Sequence, residues 1–149
     1  MKKLCLLVLL NFLVCSAFTQ NNEQDKDQEV IGTPFSIVEN VPIYPGCEKG
    51  ENSEKRDCTQ KKIVAFVNKN YNTKIAKELG LSGRQRIHVI FKIDVTGNIV
   101  GARARAPHPE LEQEAVRVIN LLPKMKPGKH KGKAVIVPYS LPIMFQVQD

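Results

Sequence analysis

The stretch AVIVPYSLPIMFQV, residues 134–147, decides the fold. Every second residue is apolar: Val135, Val137, Tyr139, Leu141, Ile143, Phe145 and Val147 share one parity. A period of two marks a strand with one buried face. Pro138 and Pro142 lie on the other parity. Proline has no amide N–H, and residues of one parity aim their amides at the same neighbour. Both prolines therefore remove donors from the same side of the strand. That side cannot be fully paired inside a sheet, which predicts an edge strand, with a bulge near one proline as the alternative. Prolines and lysines at an edge discourage random pairing. An edge is also where a guest peptide can add a strand. The residues alone leave both readings open.

Directly upstream lie five lysines, Lys124, Lys126, Lys129, Lys131 and Lys133. They read as a grip on a polyanion, as a charged rim around a protein-binding strand, or as plain solubility. Prolines and glycines space them and no aromatics interleave, so a single-strand nucleic-acid site is not expected. Before them, PHPELEQEAVRVINLLP predicts a helix. Pro109 suits its first turn, Glu110, Glu112 and Glu114 complement its positive end, and Leu111, Ala115, Val118 and Leu122 recur at helical spacing.

Further upstream the period is again two. Ile87, Val89, Phe91, Ile93 and Val95 read as one face of a strand; Arg86, His88, Lys92 and Asp94 read as the other, with Ile90 among them. DVTGN supplies a turn with Gly97 in a left-handed position. The returning strand NIVGARARA places Val100, Ala102, Ala104 and Ala106 on one face and Arg103 and Arg105 on the other. Ahead of this hairpin, Ile63, Phe66 and Val67 form the apolar face of a helix that Thr59 can cap. The short helical piece TKIAKELG stops at Gly80. The order predicts an α+β fold: a small antiparallel three-stranded sheet with two main helices packed on one face.

Of the 149 residues, the first 19 read as a secretory signal peptide: a basic start, an apolar run and small residues at Ala17 and Thr19. Asn11 interrupts the run, which favours a cleaved signal over an inner-membrane anchor. Val14 precedes Cys15 where a small residue suits lipid attachment, which argues against a lipid anchor. The expected location is the periplasm. Residues 20–33 read as a flexible polar lead-in, residues 34–58 as an extended segment and disulfide loop, and residues 59–149 as the main domain. Cys47 and Cys58 are an even pair in an exported chain, which predicts a disulfide. Closing that loop stabilises by about 3 kcal/mol in the chain-entropy picture. Without the leader, 20 Lys and Arg face 15 Asp and Glu, a moderate positive balance.

No catalytic constellation stands out. His88, His108 and His130 lack metal-ligand spacing, the serines lack a nucleophile context, and the glycines form no phosphate loop. Neither an enzyme nor a cofactor is expected.

Four segments together resemble the C-terminal domains of TonB proteins of the Bacteroidetes type. PKMKPGKHKGKAVIVPYSLPIMF resembles that family's closing motif, and GRQRIHVIFKIDVTGNIVGARARAP its first hairpin, with Gly83, Phe91, Asp94 and Gly97 in place. ELEQEAVRVINLLPKMKPGK is similar to its helix and exit, and VENVPIYPGC to its lead-in. The resemblance covers residues 34–147. It implies a protein-binding role in energy transduction and transmembrane transport. The partner-binding strand would be Val135, Ile136, Val137, Pro138, Tyr139, Ser140 and Leu141, with the five lysines as a basic rim. The partners implied are plug segments of outer-membrane TonB-dependent receptors, with inner-membrane motor proteins and a homodimer as further ones, and no nucleic acid. The chain departs from the family in two ways. Asn72 follows Tyr71 where the family usually has proline, and the usual anchor and proline-rich spacer are not seen. The 14-residue lead-in spans at most ~50 Å. The reading is therefore a periplasmic binding domain rather than a force transmitter by itself. The alternatives are a polyanion or envelope-surface binder using the lysines, and a purely structural envelope protein.

Overall fold

The computed structural model describes residues 38–148. Residues 1–37, which include the stretches read as a signal peptide and a polar lead-in and Phe35 and Ile37 of the extended segment, lie outside the described residues. The elements are α1 (Asn52–Asn70), α2 (Lys74–Glu78), β1 (Gly83–Ile93), β2 (Ile99–Arg105), α3 (Pro109–Asn120), β3 (Gly128–His130), β4 (Lys133–Val135) and β5 (Val137–Val147). β1, β2 and β5 form an antiparallel sheet in the order β2-β1-β5, and β3 and β4 form a separate hairpin.

The alternation in β1 and β5 builds the core. Ile87, Val89, Phe91 and Ile93 of β1 are buried, as are Val137, Leu141, Ile143 and Val147 of β5. The same face receives Ile63 and Val67 of α1, Ala76 of α2, and Leu111, Ala115, Val118 and Ile119 of α3. Phe91 stacks on Tyr139 with ring centroids 5.3 Å apart. The fold is α+β, a three-stranded antiparallel sheet with its helices on one face.

Four local expectations are corrected. α1 begins at Asn52, before Thr59. Glu51 and Glu54 form a reciprocal capping box that starts the helix inside the polar stretch read as loop. Thr59 instead sits buried and pins the extended segment: its Oγ1 accepts from Tyr44 N–H at 3.1 Å and donates to the Pro42 carbonyl. Val95 lies past the end of β1 and is 48% exposed. Val100 also leaves the core side. Between Ile90↔Arg103 and Lys92↔Val100, β2 uses one residue more than β1, a bulge carried by Gly101 at φ +63°.

The strand expected over residues 134–147 also breaks at Ile136: Val135 ends β4 of the hairpin, and only Val137–Val147 join the main sheet. His108 caps α3, its Nδ1 accepting from Glu110 N–H. Gly80 ends α2 at φ +70°. Cys47 and Cys58 are disulfide-bonded, tying the extended segment to the second turn of α1. Val38 and Val41 are buried, and this segment pairs with the residues before β5 through Asn40↔Lys129 and Ile43↔Lys126.

Candidate functional site, a free strand edge

β5 pairs with β1 over its whole length, Val137↔Ile93 to Val147↔Gly83, and with no other strand among the described residues. It is an edge strand, as the proline parity predicts. Asp94 N–H donates to Asn98 O at 2.9 Å, so the even-numbered amides of β1 face β2 and the odd-numbered ones face β5. Across from them, the odd residues of β5 bond to β1. Pro138, Ser140, Pro142, Met144 and Gln146 therefore turn their backbone outward. The free edge offers five carbonyls and only the amides of Ser140, Met144 and Gln146. The register with β1 runs unbroken across both prolines, because neither proline owes β1 a donor.

The flanks of this edge differ. On the helix side a narrow cleft is lined by Gln60 and Ile63 of α1 and by Tyr139, Ser140 and Leu141 of β5. On the opposite side Ser140, Pro142, Met144 and Gln146 are exposed. Tyr139 packs inward, and burial pushes its phenol well above the ordinary tyrosine range. A guest strand here would place alternate side chains against α1 and toward the open side.

The seven residues assigned to the binding strand divide between two sheets. Val135 closes β4 opposite Gly128, Ile136 links the hairpin to the main sheet, and Val137, Pro138, Tyr139, Ser140 and Leu141 open β5. Val137 and Leu141 are buried, so only Pro138 and Ser140 of that group turn backbone outward. Pro142, Met144 and Gln146 complete the edge; they lie within the strand read from residues 134–147 but beyond the seven residues named for binding.

The five lysines lie on and just before the β3–β4 hairpin rather than along the edge. Lys126 Nζ is 3.8 Å from Glu48, and Lys129 exchanges two backbone bonds with Asn40. Lys131 N–H donates to Glu39, and the turn at Lys131 and Gly132 has positive φ at both residues. Lys124 and Lys133 are exposed. Among the described residues no group of three His, Cys, Asp or Glu side chains could hold a metal ion, and no helix is long and apolar enough to cross a membrane.

A family model described as Gram-negative bacterial TonB protein C-terminal matches residues 68–147. Among solved structures, the solution structure of a Helicobacter pylori TonB C-terminal domain aligns at 18% identity. The alignment covers 70% of this chain and 88% of that one, with a TM-score of 0.44. No curated protein matches the chain.

Proposed function

Because the chain belongs to the family of TonB C-terminal domains, we propose that it is a periplasmic protein-binding domain of energy transduction to outer-membrane receptors. It captures extended plug segments of those receptors by adding them as a strand to β5. The role involves no enzymatic step. The observation that carries this reading is the eleven-residue free edge of β5, with outward carbonyls along it and a helix-side cleft beside it. The lysines of the hairpin supply a charged approach at the strand's leading end.

The test is titration of the oxidised mature chain with synthetic plug peptides, at low and high salt. Substitutions at Val137 or Tyr139 would disturb the core as well as the edge. The variants that isolate the edge are Ser140→Pro and Met144→Pro, which remove outward donors at exposed positions. Each is expected to weaken capture at least about tenfold, the effect of one lost hydrogen bond near 1.4 kcal/mol. Circular dichroism and urea unfolding should remain close to wild type. Capture that survives in both variants would refute strand addition at β5. Binding that collapses with salt, and that is lost on replacing the five lysines by glutamine, would assign the grip to the hairpin instead.

A further inference from the structure

The helices pack on one face of the sheet. On the other, among the described residues, α3 borders the β2 side, where Glu112, Gln113 and Val116 share a cavity with His88, Ile90 and Arg103. Arg84, Arg86 and Lys92 of β1 and Arg103 and Arg105 of β2 project on this open face; all but the part-exposed Lys92 are exposed. None of the sheet residues on this face is acidic. The nearest carboxylate recorded is Glu112 of α3, at the border, 4.0 Å from Arg105.

Charge alone would make a solvated surface. The register adds something else: the cations alternate with aliphatic side chains. Arg86 stands opposite Met144, Arg103 opposite Ile90, and Lys92 opposite Val100. Those three aliphatic residues are 48%, 52% and 37% exposed, three of the five most exposed large apolar side chains described. Opposite charges paired across strands would stabilise the sheet; here Arg84, Arg86, Lys92 and Arg103 stand opposite Gln146, Met144, Val100 and Ile90, none of them acidic.

We propose that this open face is a docking surface for an anionic phospholipid bilayer. Guanidinium groups hydrogen-bond to headgroup phosphates in bidentate fashion. Long arginine and lysine stems lie along apolar surface while their heads stay in the polar layer. Between them Ile90, Val100 and Met144 reach the boundary between headgroups and acyl chains, where interfacial elements bury their apolar side. A soluble polyanion would be served by the cations but would leave the aliphatic residues in water. The face meets the edge of β5 at Met144, whose backbone belongs to the edge and whose side chain belongs to the face; the four arginines lie on β1 and β2, off that edge.

The test is flotation of the full mature chain with vesicles containing phosphatidylglycerol, and with neutral phosphatidylcholine vesicles as reference. Four arginines, Arg84, Arg86, Arg103 and Arg105, are replaced by glutamine. A matched variant replaces Lys124, Lys129, Lys131 and Lys133, removing the same charge elsewhere. Each cation near an anionic leaflet contributes enough that losing four should lower partitioning about a hundredfold or more. The lysine variant should lose far less. Ile90→Ser with Met144→Ser should abolish the binding that persists at high salt. Peptide titration of the arginine variant should be unchanged, which separates this proposal from strand capture. Equal losses in the arginine and lysine variants would overturn the proposal, as would absence of binding to anionic vesicles. Unaltered binding of the Ile90/Met144 variant would also overturn it, leaving a site for soluble polyanions.

Discussion

Glu114 is the only charged side chain among the buried residues described, at 8% exposure. Its carboxylate accepts from Arg117 Nε at 2.7 Å, Arg117 Nη2 at 2.8 Å and the Asn72 amide at 2.9 Å. It thereby ties the link between α1 and α2 to the middle of α3. Replacing Glu114 by alanine removes all three bonds. The Arg117 side chain is 52% exposed and can turn to water, so the ion pair contributes less than about 1 kcal/mol. The Asn72 amide is part-buried and loses a charged acceptor, which costs roughly 1.5–2 kcal/mol. The sum for Glu114→Ala is about 2–3 kcal/mol. Glu114→Gln keeps an acceptor for the amide and should cost about 1 kcal/mol. Urea unfolding of the oxidised chain reads both. The pH dependence is a second check. The Arg117 guanidinium first, and then the Asn72 amide, hold the Glu114 carboxyl below its usual range, against the opposing pull of burial. A lowered folded pKa means stabilisation that is complete above the unfolded value, near 4.3, and lost as pH falls through the folded value. The stability gap between wild type and Glu114→Gln should therefore be constant near neutrality and close in acid. A gap independent of pH, or a cost below about 0.5 kcal/mol for Glu114→Ala, would refute this account.

Gly97→Ala should destabilise by more than about 2 kcal/mol, read as a fall in thermal midpoint. Gly97 has φ +89°, and an added Cβ would collide with the Met125 carbonyl oxygen. Val95→Ala two residues away, at an exposed site, should stay within about 0.5 kcal/mol. Replacing Cys47 and Cys58 together by serine should cost about 2–4 kcal/mol in urea unfolding, as should reduction with dithiothreitol. Peptide capture by the still-folded variant should be unchanged. All three tyrosines, Tyr44, Tyr71 and Tyr139, have phenols raised by burial. Raised folded pKa values mean stability that is complete below the ordinary value near 10 and declines as pH rises beyond it. In an alkaline absorbance titration, phenolate should appear well above pH 10 and steeply, together with loss of circular dichroism. A smooth single-site curve centred at 10 would contradict the burial.

The sheet was legible because its signals are local and redundant. The parity of Pro138 and Pro142 identified an edge, and the structure leaves the same side of β5 unpaired. The helix α3 was equally clear, since its apolar spacing, N-terminal proline and acidic first turns agree. Other features depend on distant partners. The start of α1 is polar, and its capping box was present in the residue types but outweighed by the loop-like composition. The bulge at Gly101 shifts Val100 to the open face, and a glycine in a strand does not say by itself which way the register moves. The β3–β4 hairpin turns on a Lys-Gly pair rather than the common Asn-Gly or Asp-Gly, and its outer partner is the extended segment nearly 90 residues earlier. The candidate docking strand inherits these limits: its parity was readable, but not the break at Ile136 that divides it.

The two free edges of the sheet are unequal, and the inequality decides what each can bind. The β2 edge is short and bent by the Gly101 bulge. Where it would continue, the Ala106 amide already donates to Glu112 of α3 at 3.1 Å. The β5 edge is long, straight in register and unclaimed by any other strand described. Its two prolines still impose a condition. A guest strand can donate to every outward carbonyl, but opposite Pro138 and Pro142 it receives nothing in return. A foreign strand with a full set of amides meets that deficit once. A second copy pairing its own β5 antiparallel would bring the same missing donors and meet the deficit twice. The proline pattern that blunts self-association is therefore compatible with selective capture. The protective reading and the proposed functional reading of those prolines describe one property: an edge that accepts hydrogen bonds better than it donates them, and so would favour a foreign strand over its own copy.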